Sequence, residues 1–368
     1  MKPSLLVQVL RDPSLARDFD AASWDRLLRQ ARAATLVGKL GLRLREVMSE
    51  DDMPPAIRRA TRSALVIAAK IHRDILLELY VLRELFADMS EPIILLKGTG
   101  YLSAGLSIAD GRVFGDIDIL VPRTTLALVE ERLKTAGWSF GAIDAYDESY
   151  YRRWTHELPP LEHLLRGTLV DVHHAILQER ESAPAARTRM IADARLLDER
   201  FAVLQPVDMV LHACAHLFTD GEFDKGLRDL FDIVTLVRDF AASDSGFWDR
   251  LLERSADMRL RRPLFYALDQ SVRLFGLEVP ASVFRGLAEE SRFNRFMQPV
   301  LHRGLMPHHA SAADRLTAPS LIFLYIRAHY LRMPLLHLAM HLIRKAFRRE
   351  TAPETPPIPG APPAPQRG

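Results

Sequence analysis

GDIDILV, at residues 115–121, is an apolar run that carries two acids one residue apart. In a strand, residues i and i+2 point to the same side. Asp116 and Asp118 then project together, while Ile117 and Ile119 face the opposite layer. Two carboxylates held side by side repel each other, and burying either without a partner is costly. Three arrangements relieve that cost: an exposed strand end, an ion pair with Arg112 or Arg123, or a shared divalent cation. Mg2+ fits the third, with Mn2+ as its substitute. It prefers oxygen ligands and commonly takes one or two carboxylates, completing its shell with water and substrate phosphates.

The surrounding pattern divides the chain into a helical region at 1–90, an α/β core at 91–180, a helical region at 181–350 and a proline-rich tail at 351–368. The expected class is α+β, a small mixed sheet between helical flanks. At 368 residues the chain is long enough for a sizeable core in two or three subdomains. Ser23 is the expected N-cap of the helix in SWDRLLRQARAATLVGKL, and Pro54–Pro55 introduce a long amphipathic helix. EPIILLKG (91–98), VFGDIDILVP (113–122) and GTLVDVHHAI (167–176) read as strands expected to be neighbours, and TTLALVEERLKTAGW as a helix that Gly137 ends. Helical periodicity returns from about 185. The tail TAPETPPIPGAPPAPQRG is too rich in proline to pack and is expected to be mobile and dispensable for folding.

Composition excludes several classes. Lys and Arg number 49 against 47 Asp and Glu, a formal net charge of +2, so bulk charge does not advertise nucleic acid. The single cysteine, Cys214, excludes an intrachain disulfide and a cysteine-based metal site. The N-terminus lacks the pattern of a signal peptide, and no stretch is apolar enough to span a membrane, so the expected location is the cytoplasm.

Upstream of the acids stands ILLKGTG, a strand followed by Lys97 and the turn Gly98-Thr99-Gly100. Such a turn lets backbone amides approach phosphate. Strand, glycine turn, Arg112 and an Asp-x-Asp strand together resemble the DNA polymerase β-like nucleotidyltransferase superfamily. More narrowly, LLKG…Y…R…DIDILV followed by VDVHH resembles its bacterial uncharacterised nucleotidyltransferase family, best over 91–175 and more loosely over 20–240. The resemblance implies that Asp116, Asp118 and Asp171 are catalytic and hold Mg2+, with Asp171 helping to activate the attacking hydroxyl. It implies that Gly98 and Thr99 lie against the nucleotide phosphates. Gly-Thr stands where the superfamily commonly has Gly-Ser, and about eighteen residues separate this turn from the acids, which is long for that superfamily. Lys97 and Arg112 either neutralise the triphosphate or pair with the acids.

Candidates for the acceptor site are His156, His173, His212 and Asp232. His173 lies two residues after Asp171 and shares its side. His212 and His216 share a helix face, which reads as a structural pair beside a cleft rather than a metal site. Arg228 and Asp232, also i and i+4, suggest an intrahelical ion pair, although the family often has an acid at the latter position. Tyr150, Tyr151 and Trp154 form the one aromatic cluster of the middle region. The stretch 316–349 holds six basic residues and no acid, suiting a packed helix with a solvated basic end, weak contact with an anionic membrane or contact with a nucleic acid. The tail could serve as a ligand for a partner. The expected function is transfer of a nucleotidyl group from an NTP to an unidentified hydroxyl or phosphate acceptor on a small molecule, peptide or protein. The alternatives are a toxin-like nucleotidyltransferase acting on RNA or protein, and a non-catalytic nucleotide-binding scaffold.

Overall fold

Short side chains with a hydrogen-bond acceptor set where the first helices begin. Ser4 accepts from the Val7 amide and opens α1 (Leu5–Arg11). Asp20 accepts from the Ser23 amide and opens α2 (Ala21–Ala33), so Ser23 is the capped residue and not the cap. After α3 (Val37–Arg45), Pro54 and Pro55 lead into the 31-residue α4 (Pro55–Leu85), as the sequence predicts. Proline is suited to a first turn because its fixed φ is helical and its missing N–H would have no partner there. The structure is a computed structural model that describes residues 3–141, 157–176, 184–219 and 223–332. The tail at 351–368 and the basic residues beyond 332 lie outside the described residues.

The sheet is built from β1 (Ile93–Leu95), β2 (Asp116–Leu120), β3 (Trp138–Phe140), β4 (Leu161–His163), β5 (Leu169–His173), β6 (Arg195–Leu196) and β7 (Phe201–Val203). Their spatial order is β3-β4-β5-β2-β1-β7-β6. β1 runs antiparallel to β2 and parallel to β7, while β2 runs parallel to β5. The three strands foreseen in the sequence are therefore neighbours at the centre of a mixed sheet. β6 and β7 fall where helical periodicity was expected to have resumed. FAV is fully buried, so its three residues carry no alternation that would mark a strand. Between the strands lie α5 (Lys97–Ser103), α6 (Leu126–Thr135) and α7 (Pro184–Ala192). α6 ends just before Gly137, whose φ of +101° is open to glycine and strained for other residues.

Helices follow the sheet: α8 (Pro206–Thr219), α9 (Gly226–Ser243), α10 (Phe247–Asp257), α11 (Arg261–Phe275), α12 (Ala281–Gly286), α13 (Asn294–Leu305) and α14 (Thr317–Arg332). FWDRLLERSADMRLRRPLFYALDQSVRLFG makes two helices, broken at Arg259 with φ +58°. The Arg254 guanidinium binds Asp208 at 2.7 and 2.9 Å, joining α10 to α8. The fold is α+β with helical flanks, and residues Met1–Arg332 form one compact unit. Among the described residues no helix is long and apolar enough to cross a membrane.

Candidate active site

The parallel pairing of β2 and β5 decides which acids meet. Asp118 stands opposite Asp171, Asp116 opposite Leu169 and Leu120 opposite His173. Ile117, Ile119, Val170 and Val172 are fully buried on one face of these strands. By the alternation of a strand, Asp116, Asp118, Asp171 and His173 belong to the other face. Asp116 is half-buried at the first position of β2, and a Cβ on the neighbouring Gly115 would meet nothing within 4 Å. Asp116 is thus partly exposed at the strand end, whereas Asp118 is buried within the strand.

Asp118 is almost wholly buried, and its Oδ1 has two partners. Lys97 Nζ lies 2.8 Å away and His173 Nε2 3.0 Å away. Burial opposes ionisation of this carboxyl. The Lys97 ammonium and the His173 hydrogen bond outweigh that penalty and hold it well below the usual carboxylate range. His173 is buried too, and burial alone would lower it, but the bond to Asp118 and the charge of Glu157 raise it.

Asp171 sits in the opposite electrostatic situation. Burial, then the charges of Asp118 and Glu157, push it up to about 7. Its Oδ1 is buried and has no hydrogen-bond partner among the described residues. Glu157 is the residue the sequence did not single out. It forms an isolated bridge with His173, and its carboxylate lies 3.4 Å from His173 Nδ1. The signal was its place beside His156 in WTHELPPLEH, but nothing local shows that 157–158 run alongside β5. That pairing is seen in the Leu158 amide, which donates to the Val172 carbonyl at 2.8 Å.

The segment expected as a glycine turn is the first turn of α5. Gly98 and Gly100 allow the helix to sit close to its neighbours. A Cβ on Gly98 would come within 2.5 Å of Arg112 Nη1, and one on Gly100 within 2.5 Å of the Leu95 carbonyl oxygen. Thr99 is fully buried, and its hydroxyl donates to the Asp116 carbonyl at 3.3 Å. Arg112 is likewise inside. Its Nε donates to Asp232 Oδ2 at 2.7 Å, and its guanidinium lies 5.4 Å from the Phe114 ring centre. The sequence left both basic residues between phosphate and carboxylate partners, and each has an acid: Lys97 has Asp118 and Arg112 has Asp232. Arg228 binds Asp229 at 2.6 Å, in place of the expected pair with Asp232. Arg112, in the segment leading into β2, takes Asp232 because that segment meets α9, which helical spacing cannot foretell.

His212 on α8 is buried beside this cluster. Burial, then the charges of Lys97, His216 and His173, hold it well below its ordinary value. His156, Tyr150, Tyr151 and Trp154 lie outside the described residues.

Among the described residues no group of three or more His, Cys, Asp or Glu side chains is placed so that it could hold a metal ion. An open set of carboxylates still suits Mg2+, which draws the rest of its ligands from water and phosphate. The partnerless Asp171 Oδ1 is an acceptor of the kind such a cation would satisfy.

The parallel pair β2–β5 sets three acids on one face of a mixed sheet, beside a lysine at a strand-to-helix junction. The model of the uncharacterised nucleotidyltransferase family matches residues 20–276, and the chain belongs to that family. No curated protein and no solved structure matches the chain.

Proposed function

We propose that the protein is a metal-dependent nucleotidyltransferase of the DNA polymerase β-like superfamily that transfers a nucleotidyl group from an NTP to a hydroxyl or phosphate acceptor. Family membership supports nucleotidyl transfer and an NTP substrate. The metal dependence rests on one observation: the β2–β5 register sets Asp118 opposite Asp171 on the face that also carries Asp116.

Asp116 and Asp118 would hold Mg2+, or Mn2+, together with Asp171. The cation supplies charge neutralisation at the oxygens of the transferring phosphoryl group. Asp171, pushed up to about 7 by burial and by neighbouring acids, is suited to accept the acceptor's hydroxyl proton near neutral pH. Buried His173 fixes Asp118 from behind. Thr99 and the Arg112–Asp232 pair brace the α5 turn against β2 and α9, so that Lys97 is the basic group of this cluster left at the surface of the site.

The test is incubation with each labelled NTP and Mg2+ in the presence of a metabolite extract, an RNA pool or a protein lysate. Label transfer that requires Asp116, Asp118 and Asp171 supports the proposal, and the labelled fraction names the acceptor class. NTP binding with no transfer to any fraction favours the scaffold alternative.

A further inference from the structure

The ion pair between Lys97 and Asp118 puts a cation where the proposed function needs a different one. The two ends of that pair differ in setting. The Asp118 side chain is 3% exposed, whereas that of Lys97 is 21% exposed. The acid is buried and the lysine side chain partly exposed. The same Oδ1 is also contacted by His173 Nε2, at 3.0 Å, so the carboxylate keeps a hydrogen-bond partner if the ammonium leaves.

The backbone aims the lysine deliberately. Lys97 has φ +44°, in the left-handed region that residues with a Cβ seldom adopt. Such a conformation persists only where the surroundings impose it. Here the Leu96 amide donates to the Asp118 carbonyl at 2.9 Å, and the close packing at Gly98 and Gly100 leaves α5 no other seat. The second basic residue contrasts with it. Arg112 and Asp232 have side chains 6% and 4% exposed, an enclosed pair with no route to solvent. Lysine is also the suitable residue for a movable role, a compact charge on a flexible stem.

We infer that the Lys97 ammonium is a displaceable counter-ion, which neutralises Asp118 while no divalent cation is bound and passes to a nucleotide phosphate when one is. This rests on the proposed function above. It gives one residue two partners in turn: the acid at rest, and the polyphosphate in the loaded site. It also means that a divalent cation alone binds weakly, because it competes with a charge already in place, and that cation and polyphosphate favour each other's binding.

Mn2+ binding, followed by the loss of its free-ion electron paramagnetic resonance signal, tests this in wild type, Lys97→Met and Asp118→Asn. Inorganic tripolyphosphate serves as the phosphate probe. Lys97→Met should bind Mn2+ alone about tenfold more tightly than wild type, the equivalent of about 1.4 kcal/mol. It should bind tripolyphosphate in the presence of Mn2+ about tenfold less tightly. Opposite signs in the two titrations are the signature. If Lys97→Met melts before the titration temperature, Lys97→Gln replaces it, since an amide still donates to Asp118 without the charge. Unchanged or weaker Mn2+ binding in the Lys97 variants, with binding abolished in Asp118→Asn, would show a purely structural lysine and overturn the inference while sparing the proposed function. Absence of Mn2+ and tripolyphosphate binding in wild type itself would remove both.

Discussion

Replacing Asp118 with Asn separates the roles of the two aspartates in GDIDILV. From the sequence alone, Asn at either position should leave the metal-free protein no less stable, because one charge of a repelling pair is removed. The structure reverses that expectation at Asp118. Asn keeps the shape, so no cavity forms. What is lost is the charge that holds Lys97 at 2.8 Å and His173 at 3.0 Å. A hydrogen bond to a charged group contributes about 1.5–3 kcal/mol and a neutral one about 1, so the His173 contact loses about 0.5–2 kcal/mol. The Lys97 pair is discounted to about 1 kcal/mol, because the partly exposed lysine can return its charge to water. The sum is about 1.5–3 kcal/mol, or roughly 2–4 °C in Tm for a chain of this size. Asp118 is depressed in the folded state, so its contribution is present above its unfolded value of about 3.8 and is lost as pH falls through its folded value. Thermal melting in EDTA at pH 7 measures the drop. Asp116→Asn, at a half-buried position beside open space, should stay within about 0.5 kcal/mol of wild type. Equal Tm values for Asp118→Asn and wild type would refute the ion-pair account.

Asp171 should show the opposite sign. Its folded value is raised to about 7, so the folded state holds the proton more tightly and wild-type stability is lost as pH rises from about 4 to 7. Asp171→Asn, free of that loss, should match wild type near pH 4 and exceed it by about 2–4 kcal/mol at pH 8, measured by urea unfolding in EDTA. A gap that does not widen with pH would count against a desolvated, partnerless carboxyl. Gly98→Ala brings a methyl within 2.5 Å of Arg112 Nη1 and 2.7 Å of Phe114 Cγ, and should cost about 1–3 kcal/mol; unchanged stability would show that α5 has room to shift. Arg112→Met alone leaves Asp232 buried and unpaired and should cost about 3–5 kcal/mol, whereas Arg112→Met with Asp232→Leu should recover most of it. A double-mutant cycle on the melting curves checks this, and additive losses would mean the two residues do not act as a pair.

The local physics of the chain was legible in its sequence. Period-2 alternation around Asp116 and Asp118 marked a strand with its acids on one side, and β2 is that strand. Pro55 and Gly137 placed a helix start and a helix stop because their backbone preferences do not depend on what surrounds them. The α+β class followed from the change of periodicity along the chain. What the tertiary structure alone decided is which of these pieces meet. The parallel register set Asp171 opposite Asp118, and the bridge at 157 brought in Glu157, whose place beside His156 does not show that it runs alongside β5. Lys97 and Arg112 were both readable as basic groups near acids. Their division, one partly exposed lysine on Asp118 and one buried guanidinium on Asp232, depends on contacts 21 and 120 residues apart in sequence. Ion-pair choice is a matter of distance and dielectric, and both are set by packing. A sequence therefore names the candidate charges, and the fold decides which of them remain able to move.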